Sequence, residues 1–353
     1  MTGTMTTRGV LVLFLAVLCA VPVVAAAELV LPPGFTVQVY VTGEGFDTSE
    51  RATRGVPSAS TLAIDASGTL FLARTGRRYT GGDVDDLWPI YRVPPGGARM
   101  TKTTEPRFLY GPPLPSVQIA GLRAGRDVLV STFDRDRKVG VIYVIDDGHA
   151  ELLVGGTPPR GMPPLLTQPE TAAVDNVGHV YVADRAKDQV VKLNARGAVV
   201  GDPLTLRRPR LLAFGGDGAL WIAADGAADA PWQRGPGEIW RLAGDAAPAL
   251  LLRGPVAAGM ALAPTGQLFV ADRQSAEIFM LGPDGTRVPF ARFTDGDAPR
   301  GLAIAPVTPA TERAGIAGSL FVITISRGAW PVNEVVKISG PFEQFVREHI
   351  PAR

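Results

Sequence analysis

Cysteine is nearly missing from this chain of 353 residues; the single one is Cys19. One thiol permits no internal disulfide. Beyond the first 27 residues it also leaves no basis for cysteine-ligated zinc, c-type haem, iron–sulfur clusters or thiol catalysis. Lysine is scarce too, at five residues, so the basic side chains are mostly arginine. Charge of one sign is missing altogether: 35 basic residues face 34 acidic ones, with no basic run. Such a balance gives no electrostatic reason to bind nucleic acid or an anionic membrane. There are only three histidines, and no Gly-x-Ser-x-Gly elbow, Walker loop or dinucleotide fingerprint.

Hydrophobic residues, at 46%, are enough for a sizeable core. Forty-one glycines and 31 prolines without a collagen period indicate many turns. Arg8 precedes an almost unbroken apolar run from Val10 to Ala27 that ends in Ala25-Ala26-Ala27 before Glu28. A basic start, an apolar centre and small residues at the end are the features of a cleaved secretory signal. Export to the periplasm or exterior is therefore expected, with residues 1–27 removed and residues 28–353 forming one domain. Retention as a membrane anchor is the rival, since eighteen apolar residues can just span a bilayer. Lipidation at Cys19 is disfavoured by the bulky Leu18 before it.

The chain repeats. The unit reads apolar-Ala-apolar, a few loose residues, Gly, then an apolar strand. It occurs at Leu62-Ala63-Ile64 with Gly68, Ile119-Ala120 with Gly125, and Ala172-Ala173-Val174 with Gly178. It recurs at Leu212-Ala213-Phe214 with Gly218 and Met260-Ala261-Leu262 with Gly266. A sixth copy, Leu302-Ala303-Ile304, reaches Gly318 only after a ten-residue insertion. Successive alanines lie 57, 53, 40, 48 and 42 residues apart. Each unit reads as four short strands, which predicts an all-β, six-bladed β-propeller of four-stranded antiparallel blades. Small alanine suits inner strands crowded around an axis, and glycine suits a tight hairpin. The lone strand Gly34 to Val41 is expected to close the sixth blade. The tail from Pro341 competes for that edge or packs as a short helix.

Stretches such as GHVYVADRAKDQVVKL and GQLFVADRQSAEIFML resemble NHL-type repeats and the wider TolB-like class of six-bladed propellers. The opening LPPGFTVQVY, leading to STLAIDASGTLFLAR, is similar to soluble quinoprotein glucose/sorbosone dehydrogenases. That resemblance implies a propeller fold, pyrroloquinoline quinone or Ca²⁺ as cofactor, and a histidine general base at the channel mouth. Here His179 follows hairpin glycine Gly178, His149 lies in a turn between outer strands and His349 in the tail, so none is expected there. Lactonase-like propellers imply a Glu/Asn/Asp metal site, of which Glu170 and Asp184 can supply part.

Candidate site residues come from the path of the chain. Loops after the second strand and approaches to the first strand share one face, around the channel mouth. Long loops after blades 1, 4 and 6 carry Trp88, Trp232 and Trp330, which either stack on a flat ligand or anchor their loops. Glu170, Arg210 and Arg300 begin first strands, while Asp184-Arg185 and Asp272-Arg273 end second strands. A ring of carboxylates and guanidiniums suits a polar or anionic ligand. Glu170, Asp184 and Asp272 are the residues that could hold Ca²⁺, but an aspartate at a strand end also caps its own turn. The function expected is an exported, monomeric propeller binding a small molecule, glycan or envelope protein. A quinone- or Ca²⁺-dependent sugar dehydrogenase or a lactonase-like hydrolase is the alternative.

Overall fold

The structure, a computed structural model, describes residues 29–43, 56, 59–74, 90–101, 103–112, 114, 118–134, 137–146, 148–228, 233, 235–244, 246–294, 296–326 and 333–350. The first 28 residues, including the expected signal segment, lie outside them. No described helix is long and apolar enough to cross a membrane.

Two strands precede the blades, β1 (Leu29–Val30) and β2 (Thr36–Gly43). Blade 1 holds β3 (Ala59–Ile64), β4 (Leu70–Arg74) and β5 (Ile90–Val93), followed by β6 (Ala98–Met100). Blade 2 is β7 (Gln118–Ala124), β8 (Val128–Asp134), β9 (Val139–Asp146) and β10 (His149–Gly155). Blade 3 is β11 (Pro169–Val174), β12 (Val180–Asp184), β13 (Gln189–Leu193) and β14 (Leu204–Thr205). Blade 4 is β15 (Pro209–Phe214), β16 (Leu220–Ala224), β17 (Gly237–Leu242) and β18 (Ala249–Gly254). Blade 5 is β19 (Ala257–Leu262), β20 (Leu268–Asp272), β21 (Glu277–Leu281) and β22 (Arg287–Phe293), and blade 6 is β23 (Asp297–Ile304), β24 (Leu320–Ser326) and β25 (Asn333–Ser339). These six sheets are the blades of a β-propeller, with the first strand of each lining a central channel.

The second strands show why so short a pattern builds this fold. Leu70 and Leu72 face blade 6 while Phe71 and Ala73 face blade 2, because successive side chains of a strand point to opposite sides. Each blade is thus apolar on both faces. The six apolar clusters found among the described residues each bridge two neighbouring blades.

Closure follows the expected route. β2 pairs antiparallel with β25, supplying the outer strand that blade 6 does not make itself. The tail forms helix α2 (Phe342–His349) rather than an edge strand. Its Phe342 and Phe345 set their rings edge-on to Phe35, which also meets Phe290 of blade 5 edge-on. The insertion in blade 6 contains the short helix α1 (Pro309–Arg313), begun by a reciprocal Thr308–Thr311 cap.

The blades are not uniformly four-stranded. β1 adds a fifth strand to blade 5. β6 leaves blade 1 and pairs in parallel with β2 on blade 6. Blade 1 keeps three strands and a bridge from Tyr91 to Leu109. Gly97 makes the crossing possible: its φ is +83°, and a Cβ there would lie 2.1 Å from the Tyr40 carbonyl oxygen.

Blade 2 corrects the alignment of the repeat. In blades 1, 3, 4 and 5 the hairpin glycine has φ between +77° and +92°, whereas Gly125 is not in that region. Ala124 pairs directly with Val128, a loop of three residues, where Ile64 pairs with Leu70 across five. With two loop residues fewer, the strand slides. Ala120 therefore does not take the alanine place of the repeat; Arg123 does.

Candidate binding site at the channel mouth

Opposite the hairpins, each first strand slips against its second strand by one residue, leaving an extra residue near the mouth. In blades 1 to 6 that residue is Ser60, Ala120, Glu170, Arg210, Ala258 and Arg300. A bulge of this kind breaks the ladder locally and re-aims a side chain. The three charged candidates at strand starts therefore share a structural cause.

Blades 3 and 4 bring four charged groups together. Arg185 Nε donates to Asp225 Oδ2 at 2.9 Å, and Arg210 Nε donates to Asp225 Oδ1 at 2.7 Å. Asp225 is 1% exposed and Arg210 is 7% exposed. One carboxylate thus bridges two guanidiniums from neighbouring blades. Arg210 Nη2 is buried and meets no acceptor. Glu170 lies beside this network and accepts from Gln168 Nε2 at 2.6 Å. Burial pushes the Glu170 carboxyl above its ordinary pKa; Arg210, Gln168 and Arg185 oppose the rise, and Asp225 adds to it. Beneath them, Thr171 ties the two inner strands: its hydroxyl donates to the Arg210 carbonyl and accepts from Leu212 N–H, both at 2.9 Å.

Asp272 caps its own turn, whereas Asp184 holds the approach to β11. Asp184 accepts from the Thr167 and Gln168 N–H groups at 2.9 Å, and Asp272 accepts from Gln274 and Ser275. Burial pushes the Asp184 carboxyl up in pKa, against the pull of those amides. Among the described residues no three His, Asp or Glu side chains gather where a metal ion could sit. Glu170, Asp184 and Asp272 accordingly do not form a Ca²⁺ cage.

On the other side of the mouth, Arg273 of blade 5 faces Arg300 of blade 6. Burial and that neighbouring charge push the Arg300 guanidinium down to about 10. Trp88, Trp232 and Trp330 lie outside the described residues. The histidines lie away from the mouth. His179 Nδ1 sits 2.9 Å from Asp175 in the hairpin of blade 3, and His149 is paired loosely with Asp146. His349 bonds through Nδ1 to the Phe345 carbonyl on α2. With no histidine at the mouth and no metal cluster, the described residues do not fit the quinone and Ca²⁺ chemistry that the sequence resemblance implies.

Two side chains escape the sequence reading. Asp225 directly follows β16, in the place that Arg185 and Arg273 hold in blades 3 and 5; aligning strand ends would have singled it out. Arg123 lines the channel, which encloses about 360 Å³ and includes Ala63, Ala173, Ala213, Ala261 and Ala303 in its wall. Placing Ala120 in the alanine position hid it.

No protein-family model matches the chain, and no curated protein matches it either. Solved structures do match. The pyrroloquinoline quinone-bound aldose sugar dehydrogenase of Streptomyces coelicolor aligns with TM-score 0.55 at 14% identity, over 88% of this chain and 100% of that one. A gluconolactonase from Xanthomonas campestris gives 0.54 at 14% identity, over 88% and 99%. Virginiamycin B lyase from Staphylococcus aureus gives 0.52 at 13% identity, over 86% and 99%. The likeness is one of fold. At such identities it carries no residue and no reaction across.

Proposed function

We propose that this protein binds a small polar anion, of the sugar-acid kind, at the channel mouth. The observation behind the reading is the buried Arg210 Nη2 without an acceptor. A buried donor left unpaired costs free energy that a ligand oxygen would return. Arg185 stands beside it on the shared carboxylate of Asp225, and guanidiniums grip carboxylates in fork geometry. Glu170, whose carboxyl burial pushes above its ordinary pKa, lies beside the same network. Export through residues 1–27 belongs to this proposal, as does a site open to solutes outside the cytoplasm.

Calorimetric titration of purified protein with a panel of sugar acids and neutral sugars tests the reading. The acids are expected to bind and the neutral sugars are not. Arg210→Lys keeps the charge but removes Nη2, and is expected to weaken binding at least tenfold. Unchanged affinity in that variant would remove the basis of the proposal.

A second reading is an enzyme of the sugar dehydrogenase or lactonase type, favoured by the fold of its solved neighbours. Dye-linked turnover with added quinone and Ca²⁺, or lactone hydrolysis, would support it over binding alone.

A further inference from the structure

Arg123 is the exception inside the channel. Five blades place alanine at this point of the first strand, and blade 2 places a guanidinium. Its Nη1 lies 2.7 Å from where a Cβ on Gly125 would be, so the head group sits toward the hairpin end, away from the mouth. Among the described residues it has no hydrogen bond and no ion pair. The alanine side chains around it offer no acceptor. Burial alone pushes its pKa down. An arginine remains charged at any ordinary pH, so the lost hydration is not relieved by deprotonation. A guanidinium in a cavity with no carboxylate among its described lining residues is a half-made ion pair.

We infer that the central channel binds a small aliphatic monocarboxylate, with its carboxylate on Arg123 and its tail along the alanine wall. The charge count favours this class. Arg123 is the one charged side chain at the hairpin end of the described lining, so it balances one negative charge there, and a phosphate dianion would leave its second charge unpaired. The cavity of about 360 Å³ leaves ample room for a short-chain acid. The position lies at the far end of the cavity that Arg210 also lines. Arg210 sits at the bulge, three residues before the alanine place, roughly 10 Å along the strand at about 3.3 Å per residue. The inference does not rest on the reading of the mouth.

Thermal melts and calorimetry on the whole protein test it, with butyrate, acetate and inorganic phosphate as probes. Butyrate is expected to raise the melting temperature most and phosphate least. Arg123→Ala places in blade 2 the residue that five blades already carry. It is expected to fold, to melt no lower than the wild type without ligand, and to lose the butyrate response. Arg123→Gln should lose it as well, while Arg210→Lys keeps it. A response unchanged in Arg123→Ala, or none in the wild type, overturns the inference. So does a phosphate response larger than that of butyrate. Loss in Arg210→Lys alone would put the anion at the mouth and overturn it equally.

Discussion

Blades 3 and 5 carry the same four residues, Val-Ala-Asp-Arg, at the end of the second strand, and their two arginines meet different neighbours in the next blade. In both places the next blade presents an arginine at its bulge, Arg210 beside Arg185 and Arg300 beside Arg273. The difference is one further residue on that next blade. Where blade 4 has Asp225 after its second-strand residue Ala224, blade 6 has buried Ile325 after Thr324. Asp225 holds two guanidiniums together, whereas Arg273 adds to the burial that lowers the pKa of Arg300. A repeated motif therefore fixes where a side chain stands, and its neighbour in the next blade fixes what charge it meets.

The largest expected effect comes from erasing that difference. Asp225→Ala leaves Arg185 and Arg210 without their shared carboxylate, and removing one partner of a buried ion pair costs about 3–5 kcal/mol. Urea unfolding should register the loss; a variant as stable as the wild type would mean that the bridge contributes nothing.

Placing a carboxylate at the corresponding position of blade 6 is the converse experiment. Ile325→Asp and Ile325→Asn both remove an apolar side chain from the core between blades 5 and 6, so both should destabilise. The aspartate variant is expected to be the more stable by about 1–2 kcal/mol at neutral pH, from charge-assisted bonds to arginine. That advantage should vanish in acid, once the new carboxylate is protonated. Equal stability at neutral pH would show that position 325 does not address Arg273 or Arg300.

The smallest effect concerns Glu170, on the bulge of blade 3. Its pKa in the folded protein is raised, so the folded state binds this proton more tightly than the unfolded chain does. Stability from this group is present below the unfolded carboxylate value and falls as pH rises through the folded value. Glu170→Gln should therefore melt above the wild type at neutral pH, with the gap closing toward pH 4. A gap that widens in acid instead would reverse the sign and place Glu170 in a net attractive field.

Much of this was legible in the residues. Six repeats, alternating second strands and a closing strand before the first blade all rest on local rules of side-chain size and strand period, and the structure has all of them. Arg123 was not legible. A hairpin shortened by two residues shifts blade 2 against the pattern, yet Ala120 and Gly125 imitate the expected spacing by coincidence. The loss of a fourth strand from blade 1 was equally hidden, because the parallel pairing of β6 with β2 depends on Tyr40, distant in sequence from Gly97.

The sequence by itself determined the blades, since apolar alternation and turn residues act over a few positions. It also placed Glu170, Arg210 and Arg300 at strand starts. Only the tertiary structure decided which of those charges meet. Coulombic partners lie 15 to 40 residues away, mostly on the adjacent blade, and which partner a guanidinium finds depends on a neighbour that no local pattern specifies.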